Sequence, residues 1–84
     1  MASPRTPLSS KATLSVALAK ARTAVQLDQA QYHDGARAYY AEVIELLARV
    51  IARASNMEDA KKLENIRRAY TDRIQQLDEL LSDA

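Results

Sequence analysis

After Pro4 and Pro7 the chain contains no further proline, and its only glycine is Gly35. A β-protein needs turn glycines and frequent β-branched or aromatic residues, and both are scarce here. Sixteen alanines and ten leucines fill the chain instead, within a composition that is 48% apolar and 27% charged. Such a composition favours helices. At 84 residues and 9.3 kDa there is material for one small core, burying roughly 60–65% of the extended surface. The expected fold class is a single all-α domain.

Composition also narrows function. There is no cysteine and only one histidine, which excludes disulfide scaffolds, thiolate zinc sites and cysteine nucleophiles. No cofactor or metal is expected. Twelve basic residues against eleven acidic ones give a net charge of +1, so neither a nucleic-acid nor an anionic-membrane footprint stands out. No apolar run approaches the roughly 20 residues that span a bilayer. Residues 1–10 have two prolines, three serines and no hydrophobic h-region, and read as a disordered leader or linker rather than a signal peptide. The folded domain is expected over residues 11–82.

Periodicity divides that domain into three helices. Ser9 or Ser10 can cap the first, over roughly Thr13 to Ala30. Its face is expected to be Leu14, Leu18, Ala21, Val25 and Asp28, with Ala17 and Ala24 beside it. A short connection falls near Gln31 and Tyr32, and Gly35 then sits in a first turn, where its cost is small. The second helix carries the densest apolar stripe: Ala36, Tyr40, Val43, Ile44, Leu47, Val50 and Ile51. That makes it the central packing element. Ser55 with Glu58, or Asn56 with Asp59, can start the third helix. It runs from about Met57 to Leu81, roughly 37 Å long, with Leu63, Ile66, Tyr70, Ile74, Leu77 and Leu81 inward. Short connections make neighbours antiparallel, so the bundle is up-down-up. Two grooves then flank the third helix, each suited to an amphipathic helix or an extended peptide.

His33 beside Asp34 is the only candidate general base, and no nucleophile is paired with it, so no catalytic constellation is expected. Lys61, Lys62, Arg67 and Arg68 could form a phosphate-binding strip, diluted by Glu58, Asp59 and Glu64. Asp72, Asp78, Glu79 and Asp83 would favour a basic peptide if they faced a groove. Tyr39, Tyr40 and Tyr70 suit bundle edges, with buried rings and partnered hydroxyls. Asp28 lies within reach of Arg73, and a buried pair is expected.

Asp28, the Ala36-x-x-x-Tyr40 pair and the Tyr70-x-x-Arg73-x-x-x-Leu77 run together resemble the MIT (microtubule-interacting and trafficking) domain, over about Leu14 to Leu81. The resemblance implies a three-helix bundle of spectrin- or MIT-like type that acts as a monomeric, non-catalytic adaptor. The implied partners are C-terminal tail motifs of ESCRT-III subunits and the attached domains of a longer protein. One tail class docks as a helix between helices 2 and 3, and another lies extended between helices 1 and 3. Attached activities of this family include AAA ATPases, proteases, kinases and sorting modules. They are brought to cytoplasmic, peripheral sites on endosomal or other remodelling membranes, so membrane association is indirect.

For the helix 2–helix 3 groove the implied lining is Tyr40, Leu47, Ile66, Thr71, Asp72 and Gln75, with Asp72 matching an acidic position that pairs with a ligand arginine. The sequence departs from the family in places. Thr71 stands where Leu is common, and Gln75 and Gln76 where Glu is frequent, which lowers the affinity expected for a helical tail. His33 takes a position usually held by Tyr, with Tyr32 displaced by one. The competing reading is a structural bundle for oligomerisation, with the alanine-rich face of the first helix as subunit contact.

Overall fold

A computed structural model describes residues 9–82. Three α-helices follow one another: α1 (Ser10–Gln29), α2 (His33–Ala52) and α3 (Met57–Ser82). The bundle is the three-helix architecture expected. The proposed leader lies outside the described residues, apart from Ser9 and Ser10. Helix α1 starts earlier than Thr13 because Ser9 caps it, its Oγ accepting from Ala12 N–H at 3.1 Å. At α3 the two candidate caps are resolved in favour of Asn56, whose Oδ1 accepts from Glu58 N–H at 2.8 Å.

The α1–α2 turn is tight and closed by backbone bonds. Tyr32 N–H donates to Leu27 C=O at 2.9 Å and Gln31 N–H to Asp28 C=O at 3.0 Å, the pattern that ends a helix through a left-handed residue. That residue is Gln31, with φ 65°, a conformation glycine adopts without the Cβ clash. Gln31→Gly is therefore expected to stabilise the domain by about 1 kcal/mol and raise Tm by about 5 °C. An unchanged thermal midpoint would show that Gln31 is not strained. Gly35 serves closeness rather than turning, since a Cβ there would meet Leu27 Cδ1 at 3.3 Å.

Helix α2 is the central element, as its stripe implies. Towards the turn, Ala24, Ala36, Tyr40, Ile74 and Leu77 form one buried cluster. Further along, Ala17, Ala21, Val43 and Leu47 form a second, and Tyr70 packs against both. The rings of Tyr40 and Tyr70 stack with centroids 5.4 Å apart. Helix α1 meets α2 through Ala17, Ala21 and Ala24, whose small side chains let the two backbones come close.

This corrects the expected face of α1. Leu18 and Val25 were expected in the core but are 48% and 37% exposed. Close approach to α2 is possible only through alanines, and this rotates the larger residues away. On α3, Ile74 and Leu77 are buried as expected, Leu63, Tyr70 and Leu81 are half-buried, and Ile66 is 41% exposed rather than inward. Among the described residues, no Cα of α1 comes within 8 Å of one in α3. The two outer helices lean on α2 and leave a cleft between themselves.

Candidate functional site

The cleft is lined by Leu18, Ala21, Arg22, Val25 and Gln26 of α1 and by Tyr70 of α3, around a volume of about 390 Å³. Its floor is Ala21, buried and too small to fill the gap, while Leu18 and Val25 stand on the α1 wall. Ile66 lies one turn before Tyr70, and seven residues before Arg73, which returns it to within about 20° of the same direction. Because Arg73 reaches across to α1, Ile66 falls on the side of α3 that is turned towards α1, beyond the Tyr70 that lines the cleft. Leu18 and Val25, exposed beside Ala21 and opposite Tyr70, give the cleft a mainly apolar lining.

One end of the cleft is closed by ionic contacts. Arg73 Nε and Nη2 each donate to the Asp28 carboxylate at 2.7 Å, and the Tyr40 hydroxyl donates to Asp28 Oδ2 at 3.0 Å. Arg73 Nη1 is further oriented by Gln76 Oε1 at 2.8 Å. The side chain of Asp28 is 12% exposed and that of Arg73 36%, so the pair is half-buried rather than sealed. The bidentate bond from Arg73 holds the Asp28 carboxyl below the ordinary carboxylate value against the opposing effect of burial, with help from Tyr40. Burial, then the bond to Asp28, pushes the Tyr40 phenol up to about 12. One network thus joins all three helices.

The helix 2–helix 3 lining expected from the family pattern is not brought together. Tyr40 and Leu47 are 4% and 1% exposed, turned into the core, and offer no surface to a ligand. Ile66 is 41% exposed and turned about 140° away from Thr71 around α3. Thr71, Asp72 and Gln75 remain accessible, although the Thr71 hydroxyl donates to Arg67 C=O at 2.9 Å. The α2–α3 side is bridged by Arg37 and Asp78, with Nη2 to Oδ2 at 3.4 Å.

Other sequence candidates are dispersed. His33 and Asp34 line a separate recess of about 270 Å³ at the α1–α2 turn, with Gln31, Tyr32, Gly35 and Leu81. Of the basic strip, Arg67 is held by Glu64, with Nε to Oε2 at 3.0 Å, leaving Lys61, Lys62 and Arg68 as exposed surface. Helix α1 is also braced to α2 by Lys20, 3.4 Å from Glu42 and above the Tyr39 ring. Arg22 and Gln26 were not singled out in the sequence. Neither residue carries a local motif, and their role follows only from which side of α1 faces α3.

A family model described as the MIT (microtubule interacting and transport) domain matches residues 14–79. The chain belongs to the MIT family. The match spans all but the ends of the bundle, and it makes the chain a helical protein-interaction module of a generally non-catalytic kind. No curated protein and no solved structure matches the chain. Among the described residues, no helix of this MIT domain is long and apolar enough to cross a membrane.

Proposed function

We propose that this MIT domain binds C-terminal tail motifs of ESCRT-III subunits as extended segments in the α1–α3 cleft. Such binding would recruit whatever activity is attached to the domain to endosomal or other remodelling membranes from the cytoplasmic side. The observation that carries the reading is the unfilled apolar cleft, with Leu18 and Val25 exposed beside Ala21 on α1 and Tyr70 facing them from α3. An extended chain fits a gap between parallel helices whose backbones stay apart, and alternate side chains of the ligand can enter it. The contact area is small, so affinity in the micromolar range or weaker is expected.

The test is an NMR shift titration of the labelled domain with a panel of ESCRT-III tail peptides. Shifts are expected at Leu18, Val25, Ile66 and Tyr70. The absence of shifts with every tail at millimolar peptide would remove the functional reading while leaving the fold intact. Ile66→Asp, which puts a carboxylate on the side of α3 turned towards α1, is expected to weaken an extended tail at least about tenfold. Asp72→Lys, on another side of α3, is expected to leave that tail unaffected and to weaken only a helical, arginine-bearing one. The oligomerisation reading relied on the alanine-rich face of α1, but Ala17, Ala21 and Ala24 are buried against α2 and unavailable to a second subunit.

A further inference from the structure

We propose that the recess at the α1–α2 turn is a second recognition site, which seats an arginine side chain of a partner protein. Gln31, Tyr32, His33, Asp34 and Gly35 line it from the turn and Leu81 from the end of α3, around a volume of about 270 Å³. It shares no lining residue with the α1–α3 cleft. A volume below the roughly 300 Å³ at which small-molecule pockets begin suits a single long side chain. Tyr32 is 67% exposed, and the other tyrosines among the described residues are buried or half-buried. The turn is also made of residues that serve it poorly. Gln31 holds a left-handed φ of 65°, which glycine would adopt without strain. Tyr32 takes the cap position of α2 and makes no side-chain cap bond, where Ser, Asp or Asn would accept from the first-turn N–H groups. Natural chains break such local rules chiefly at functional or strained sites, and here the two residues that break them line one recess.

The charges around the recess call for a cation. Asp34 lines it, Glu79 stands two residues before Leu81, and neither makes an ion pair among the described residues. The basic residues nearest to it in sequence are committed elsewhere, Arg37 to Asp78 and Arg73 to Asp28. Between Arg22 and Arg37, and from Ile74 to Ala84, the chain contains no Lys or Arg, and His33 adds no formal charge. Helices α1 and α3 both end here with no basic residue in the last turn, so each leaves about half a negative charge uncompensated. The start of α2 opposes them with about half a positive charge, which Asp34 in its first turn more than offsets. Arginine fits better than lysine, since a planar guanidinium can lie on the Tyr32 ring and fork onto the Asp34 carboxylate.

The probe is the blocked tripeptide acetyl-Gly-Arg-Gly-amide, with citrulline or glutamate replacing arginine in its neutral and anionic counterparts. Each is titrated into the labelled domain at low salt and followed by NMR. One side chain gives millimolar affinity at best, so the titration runs to tens of millimolar. Saturable shifts are expected at His33, Gly35 and Leu81, with arginine binding at least about threefold more tightly than citrulline and the difference shrinking as salt rises. Asp34→Asn is expected to remove that difference. Tyr32→Ser is expected to weaken binding about threefold while the thermal midpoint holds or rises, because serine can cap α2. A lowered midpoint with unchanged binding would show that Tyr32 serves the fold alone, and overturns the inference. Equal binding of arginine and citrulline, or no saturable shift in the recess, overturns it as well. Tighter binding of the glutamate peptide would make the start of α2 the governing charge, with the same consequence. Arginine shifts that appear at Asp72 as strongly as at Leu81 would reduce the effect to general attraction by surface carboxylates and also overturn it. Tail binding in the cleft is read separately, at Leu18, Val25 and Tyr70.

Discussion

Leu47→Ala is expected to destabilise the domain by about 3 kcal/mol and to lower Tm by roughly 15 °C. The size of the effect follows from what surrounds the side chain. Leu47 is 1% exposed and packs with Ala17, Ala21 and Val43. Two of those neighbours have only a methyl group and cannot reach into the space a truncated leucine would leave. The cavity term is therefore kept almost whole rather than relieved by relaxation. Urea denaturation measures the change directly, and the loss is a large part of the few kcal/mol available to so small a domain. A cost under about 1 kcal/mol would mean that Leu47 lies at a surface, and would return it to a groove-lining role.

Asp28→Ala is expected to cost about 2 kcal/mol. It strips Arg73 of a bidentate partner and leaves the Tyr40 hydroxyl without its acceptor. Breaking a fully buried pair costs about 3–5 kcal/mol. Arg73 is 36% exposed, so water can replace part of what it loses and the lower figure applies. The pH dependence has a definite sign. Arg73 depresses the folded-state value of Asp28 below the ordinary 3.8, so the unfolded chain takes up the proton first as pH falls. The contribution is complete above 3.8 and is lost as pH drops through the depressed folded value. Wild type and Asp28→Asn should therefore converge in stability towards strongly acidic pH and diverge towards neutrality. A difference that stays constant across that range would mean that the ionised carboxylate is not what stabilises the bundle.

Much of this fold can be read from periodicity, and the reasons it fails are as local as the reasons it succeeds. On α2 the apolar residues are dense enough that any rotation buries them, so its face and its central place are unambiguous. On α1 a hydrophobic scale ranks Leu18 and Val25 above Ala17 and Ala24, whereas the geometry ranks them by how near α2 can come. The smaller residues win the interior, and the larger ones become the cleft wall. The residues expected to line the helix 2–helix 3 groove are spread apart for a related reason. Ile66 and Thr71 are five residues apart, about 140° of rotation, so one groove of α3 cannot hold both. Tyr40 and Leu47 match the family pattern but are already committed to the core by Asp28 and the α1 alanines. The Asp28–Arg73 link was legible because a carboxylate ending one helix and an arginine late in a parallel one fall at the same height.

The separation of α1 from α3 also shapes how the chain assembles. In effect the molecule is two hairpins overlapping on a shared α2, and each closes through a turn of only a few residues. Loop-closure entropy is small for both, so either can form first and formation is fast. Uniting α1 with α3 requires both hairpins, and the Arg73–Asp28 bond spans 45 residues of sequence. That union is the late event. Its ion pair therefore acts chiefly by slowing escape from the native state, and contributes little to the speed of reaching it.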